Sequence, residues 1–138
     1  MPYANPSDMV TAFGQAEMVQ LTDTGEPRLD DVNLAVLGKA LADASALIDG
    51  YLVGRYPLPL ADVPEVLRVH CRGLARYLLM TNTPDERAKL DFKAATDFLG
   101  RVAAGTISLV PPAQAQVPSG MGPVAFVTGQ KVFAREDL

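Results

Sequence analysis

His70 and Cys71 are neighbours, and the 138-residue chain holds no other residue of either type. A histidine beside a cysteine is raw material for a thiolate nucleophile, with the imidazole taking the thiol proton. The spacing argues against that use. Both residues fall in a helical apolar pattern, where adjacent side chains point about 100° apart and do not face each other. They are expected to line the core. One His and one Cys also supply no zinc or iron ligand set. Carboxylates are paired at Asp30/Asp31 and Asp85/Glu86, a pattern that general acid–base chemistry uses. Both pairs stand where helices should begin, and there the helix dipole and free N–H groups favour negative charge. Capping accounts for them. Gly122 to Lys131 has the composition of a phosphate loop without its spacing, since Gln130 separates Gly129 from Lys131 and Val132 follows. No catalytic residue, metal site or cofactor is expected, and a small hydrolase ranks low for want of a nucleophile–base pair.

What remains is a charged and aromatic cluster within Asp43–Leu60, DASALIDGYLVGRYPLPL. Asp49, Tyr51, Arg55 and Tyr56 lead into a turn stiffened by Pro57 and Pro59. Asp49 and Arg55, with Arg72 and Arg76, are expected to converge around this turn, because one guanidinium can serve a carboxylate and several loop carbonyls. Two readings stay open. Either Arg55 pins the turn to the helix before it, with Asp49 as its brace, or it contacts a partner directly. Arg68, Arg72 and Arg76 recur every four residues, which makes them a solvated stripe or a patch for an acidic neighbour. In a symmetric ring that neighbour is another copy of the chain.

The elements that position these residues are helical. Asn5 and Pro6 give a cap and a first-turn proline for a short helix ending at Gly14. A second short helix is expected over 15–21, then a loop through Gly25 and Pro27. The first long helix begins after Asp30, with Leu34, Leu37, Leu41, Ala44, Ile48 and Tyr51 in a helical period. Alanines at 35, 40, 42, 44 and 46 permit close approach of another helix or subunit. The prolines end it. Asp62 and Glu65 have capping-box spacing, as do Thr83 and Glu86. They are expected to open two further long helices, one carrying Leu67, Cys71, Leu74 and Leu78, the other Ala88, Phe92, Ala95, Leu99 and Val102. Gly105 should stop the last. Residues 107–109 are read as a short extended piece.

The fold class is therefore all-α: a small bundle of three long helices with one or two short N-terminal ones. Residues 1–110 make the helical domain. Residues 111–138 read as a Pro/Gly-rich linker and an extended or disordered C-terminal arm. Within the arm Phe126, Val132, Phe133 and Arg135 are candidate contacts. It can be a weak hairpin, a docking arm or a frayed tail.

Composition agrees with a globular chain, 49% apolar and 20% charged. Twelve basic residues against 16 acidic ones, a net charge of −4, argue against sequence-independent nucleic-acid binding as the main task. A lone cysteine suits a reducing compartment. The opening MPYANPSDM lacks the basic and apolar regions of a signal peptide, and no apolar run approaches the length of a membrane span. A soluble cytosolic protein is expected.

Several stretches, taken in order, point to one family. They are Tyr3 to Phe13-Gly14, Leu21-Thr22-Asp23, Asp43-Ala44-Ser45, and Ile48-Asp49-Gly50-Tyr51-Leu52. Gly54-Arg55-Tyr56-Pro57-Leu58-Pro59-Leu60 follows, then Cys71-Arg72-Gly73-Leu74-Ala75-Arg76-Tyr77-Leu78-Leu79, then Phe98-Leu99 through Gly105 and Leu109, and finally Val132 to Leu138. This order resembles the Mu-like phage and prophage proteins of the head–tail junction, formerly a domain of unknown function. The resemblance implies a non-enzymatic connector, or head-completion adaptor, made in the cytoplasm of the bacterial host and resident in the virion neck. It implies a ring, commonly of twelve subunits, on the portal protein, extending the DNA channel toward the next neck or tail-completion protein. DNA is then cargo in the channel, and no membrane is involved. The alternative is a small helical DNA-binding or regulatory protein whose Arg68, Arg72 and Arg76 meet phosphates.

Overall fold

The computed structural model describes residues 2–81 and 83–109, and all regular structure among them is helical. The helices are α1 Pro6–Phe13, α2 Gln15–Thr22, α3 Leu34–Leu52, α4 Glu65–Leu79 and α5 Glu86–Ala104. The three long helices pack on one another in every pairing, and α1 and α2 lie against the α3–α4 side. The expected fold class is what the chain adopts. Residues 107–109 form no strand. The expected arm, with Phe126, Val132, Phe133 and Arg135, lies outside the described residues.

Local chemistry explains the starts and stops. Asn5 caps α1 in a reciprocal box: its side chain accepts from the Asp8 N–H at 2.9 Å, and the Asp8 carboxylate accepts from the Asn5 N–H at 2.9 Å. Gly14, at φ +96°, ends α1 and begins α2. The Asn33 side chain accepts from Ala35 and Val36 to start α3.

The next two starts differ from the sequence expectation. The Asp62–Glu65 box does not form. Pro64 occupies the cap position of α4 with no side-chain cap bond. A helix begun at Asp62 would need Val63 helical directly before a proline, which the proline ring opposes. At α5 the cap is Asp85, not Thr83, and its carboxylate accepts from the Ala88 N–H at 2.7 Å.

The core is a seam of small and branched side chains. Leu37, Leu41, Ala44, Ile48 and Leu52 of α3 meet Leu67, Cys71 and Leu74 of α4 and Ala88, Ala95, Leu99 and Val102 of α5, all buried. Met9 and Met18 close it from α1 and α2. Each fully buried Leu, Ile or Met contributes about 1.5–3 kcal/mol. The expected ends of the α3 stripe do not belong to the core: Leu34, the first residue of the helix, is 64% exposed, and Tyr51 is half-buried beside buried Leu52. Of the small residues on α3, Ala40 and Ala44 are covered by neighbouring elements, while Ala35, Ala42 and Ala46 face solvent.

Leu21-Thr22-Asp23 proves to be the fastening of the α2–α3 loop. The Thr22 hydroxyl donates to the Met18 carbonyl at 2.7 Å and accepts from the Asn33 N–H at 2.9 Å. The buried Asp23 carboxylate accepts from the N–H groups of Leu29, at 3.0 Å, and Asp30, at 2.7 Å. Two polar side chains thus satisfy the loop backbone internally.

Candidate functional site

Asp49 sits near the end of α3, where the sequence places the brace of the proline corner. Its partner is Tyr3, whose phenol donates to the carboxylate. No ion pair forms between Asp49 and Arg55, so the expected brace is replaced by a long-range one. The backbone N–H of Tyr3 donates to the Ser45 hydroxyl at 3.0 Å, one helical turn before Asp49, and that hydroxyl lies 3.6 Å from the Cys71 sulfur. Ser45 and Asp49 therefore share a face of α3 that receives the N-terminal segment. Burial, followed by hydrogen bonding to Asp49, pushes the Tyr3 phenol pKa well above its ordinary value. Burial likewise pushes the Cys71 thiol up. These are the settings of a structural joint, not of a nucleophile.

Beyond Asp49 the chain leaves the helix through Val53, whose N–H donates to the Asp49 carbonyl at 2.9 Å, and the Arg55 and Tyr56 N–H groups both donate to the Leu52 carbonyl at 2.9 Å. Tyr51 and Tyr56 are half-buried, while Pro57 and Pro59 are exposed, the latter after a cis Leu58–Pro59 bond. The Arg55 guanidinium reaches the far end of α5, where a β-carbon added to Gly105 would lie 2.9 Å from its nitrogens. Gly105 carries the left-handed C-cap, at φ +87°. Thr106 and Gly105 close that helix end by donating to the Arg101 and Val102 carbonyls at 2.9 and 3.1 Å. Arg55 thus pairs the corner with a helix C-terminus, where the dipole favours a cation. A pocket of about 370 Å³ lies in the corner, floored by Tyr3 and Asp49 and walled by Leu58, Pro59 and Leu60.

The arginine row does not act as one patch. Arg76 is buried, 8% exposed, and is enclosed by the α1–α2 hairpin. Its Nε donates to Glu17, a second nitrogen lies 3.3 Å from Asp85, and its guanidinium stands 5.1 Å from the Phe13 ring centre. Hydrogen bonding to Glu17 raises its pKa further. Arg68 bonds Glu65 at 2.6 Å and approaches Asp8 at 4.0 Å. Arg72, between them, is half-buried and has no ion pair among the described residues. The expected convergence of Asp49, Arg55, Arg72 and Arg76 is therefore not formed. Arg76 was invisible as a core residue because four-residue spacing reports a shared helix face, not what covers it.

His70 packs on Phe98 with ring centres 4.8 Å apart, and Tyr77 stacks on Phe92 at 4.2 Å. Both contacts join α4 to α5. Of the two residues expected to line the core, Cys71 is buried, whereas His70 is half-buried. Among the described residues no group of three or more His, Cys, Asp or Glu could hold a metal ion. No described helix is long and apolar enough to cross a membrane.

The outer surface is where unassigned apolar area lies. Leu34, Leu47, Val53, Val69 and Leu90 are exposed. A groove of about 560 Å³ runs between the α2–α3 loop, the outer side of α3 and the end of α4, lined by Leu21, Val36, Ala40, Leu78 and Leu79, with Lys39 and Asp43 at its edge.

Comparison of the sequence with known proteins identifies a family. A family model described as Bacteriophage Mu, Gp36 matches residues 3–127. The Mu-like prophage FluMu protein gp36 of Haemophilus influenzae is 39% identical over 107 residues, 78% of this chain and 74% of that protein. Gene product J of Escherichia phage Mu is 34% identical over 139 residues, 99% of this chain and 96% of its own length.

Proposed function

The chain belongs to the bacteriophage Mu Gp36 family, and we propose that it is a head–tail connector, a structural adaptor that assembles as a ring on the portal protein. In this role it extends the DNA channel toward the next neck or tail-completion protein and performs no catalysis. It is made in the host cytoplasm and resides in the virion neck. Family membership carries the reading. The division of labour in the bundle supports it: the polar motif residues Thr22, Asp23, Ser45, Asp49 and Arg76 are spent on internal joints. Apolar side chains such as Leu34, Leu47 and Leu90 are left on the outside, where a subunit meets its neighbours.

Mass measurement by light scattering, alone and with the portal protein of the same phage, tests this. A ring on the portal is expected. A monomer in isolation is compatible, because rings can require their template. A chain that never joins the portal sinks the proposal. The DNA-binding alternative is disfavoured by the ion pairs of Arg68 and Arg76, which leave one arginine of the row for phosphates. Duplex binding with a steep salt dependence would revive it.

A further inference from the structure

Arg72 is the arginine of the row that the fold does not use. Arg68 has Glu65 and Asp8, and Arg76 has Glu17 and Asp85. Arg72 is half-buried between them, with no carboxylate in ion-pair distance among the described residues. It lines a cleft of about 280 Å³ between the end of α1, the middle of α4 and the first half of α5. Phe13 and Val69 give the cleft apolar walls, and Arg87 stands at its mouth, 3.5 Å from Asp91. His70 also lines it. Burial lowers the His70 pKa, so the imidazole is neutral at neutral pH and the positive charge comes from the arginines. Arg72 and Arg87 against Asp91 leave one positive charge uncompensated. A guanidinium partly withdrawn from water without a counter-charge is unfavourable, and a bidentate acceptor relieves it.

We propose that this cleft receives a carboxylate side chain from an acidic surface segment of a partner protein, gripped by Arg72 with Arg87 at the rim. The planar fork of Arg72 matches a carboxylate, and the apolar walls suit the methylene groups of Asp or Glu. A nucleic-acid backbone fits poorly. It carries charge at every step and calls for a broad basic surface, whereas this positive charge is single, recessed and flanked by Asp91 on a chain of net charge −4. Recognition of an acidic partner segment in this way holds whether or not the protein is a connector.

The test is a titration of the full ¹⁵N-labelled chain with a capped hexaglutamate peptide, followed by NMR shifts. Saturable shifts are expected at the Arg72 and Arg87 side-chain N–H groups and at the Val69 and Ala94 amides. Arg72→Gln should weaken binding about tenfold or more, the loss of one charge-assisted bidentate contact. Arg72→Lys should retain part of the affinity, and Arg68→Gln all of it. Arg87→Gln, at the exposed rim, gives a second reading if Arg72→Gln unfolds, and should weaken binding by a smaller factor. Absence of saturable shifts in the cleft overturns the proposal. So does equal affinity in wild type, Arg72→Gln and Arg87→Gln, or preferential binding there of duplex DNA or inorganic phosphate.

Discussion

The Tyr3 phenol donates to the Asp49 carboxylate across 46 positions of sequence, and this bond seats the N-terminal segment on the helix that leads into the proline corner. Tyr3 is 7% exposed, so removing its hydroxyl leaves a half-buried carboxylate short of a donor. Tyr3→Phe should lower stability by about 1–2 kcal/mol, toward the low end for hydrogen bonds to charged groups because water can reach Asp49. Urea unfolding midpoints at neutral pH measure this. An unchanged midpoint means that the bond contributes nothing net.

The same bond gives an alkaline signature. Burial and Asp49 raise the Tyr3 pKa in the folded state, while in the unfolded state it titrates near 10. Above pH 10 the unfolded chain loses this proton and the folded chain keeps it, so stability falls as pH rises. The contribution is fully present below pH 10 and declines by up to about 1.4 kcal/mol per pH unit above it. Wild type should converge on Tyr3→Phe between pH 10 and 11.5 in parallel urea titrations. Parallel curves that never approach each other would remove this assignment.

Helix existence was legible in the sequence because the buried seam repeats at helical period in 37, 41, 44 and 48, in 67, 71 and 74, and in 88, 95, 99 and 102. Caps were legible only where local bonds decide, as at Asn5. At α5 the choice of Asp85 over Thr83 coincides with a tertiary partner, since Asp85 also faces Arg76 at 3.3 Å. The brace was misassigned for the same reason. Asp49 and Arg55 are close in sequence, yet Asp49 is engaged by Tyr3 from the chain's start and Arg55 reaches Gly105 at the bundle's other terminus. Periodicity reports faces of one helix, and these joints depend on which helix arrives.

Arg76 joins α4 to the α1–α2 hairpin and to the start of α5. Arg76→Met keeps much of the packed stem but leaves Glu17 and Asp85 facing each other without a cation. The expected cost is about 2–4 kcal/mol, below the full penalty for a buried pair because both carboxylates retain some water. Arg76→Lys should recover little, since one ammonium cannot hold both acceptors in the geometry of a guanidinium. Arg68→Ala, which removes only exposed pairing, should cost less than about 1 kcal/mol. Chemical denaturation of the three variants reads the ranking directly. A cost for Arg68→Ala equal to that for Arg76→Met would contradict the joint.

Cys71 is buried against Ser45, and burial holds its thiol pKa up. The thiolate is the reactive form, so a disulfide reagent at pH 8 should label native protein slowly and urea-unfolded protein at once. The difference should be on the order of 100-fold, set by the opening of the bundle. Rapid labelling of the native protein would mean that the joint under Tyr3 opens readily.

Gly105 is held by two separable constraints, and a double-mutant cycle resolves them. Its φ of +87° is disfavoured for any residue with a β-carbon, and such a carbon would lie 2.9 Å from the Arg55 guanidinium. The backbone term should cost about 1–2 kcal/mol. The Arg55 term should be smaller, because the end of a long side chain can move aside at the price of its favourable place at the α5 C-terminus, about 0.3–1 kcal/mol. Gly105→Ala should therefore destabilise the wild-type chain by about 1.5–3 kcal/mol, and an Arg55→Ala background by about 1–2 kcal/mol. The coupling between the two sites is the difference. A coupling of zero would mean that Arg55 does not rest on α5, and that the proline corner and the helix end are fixed independently.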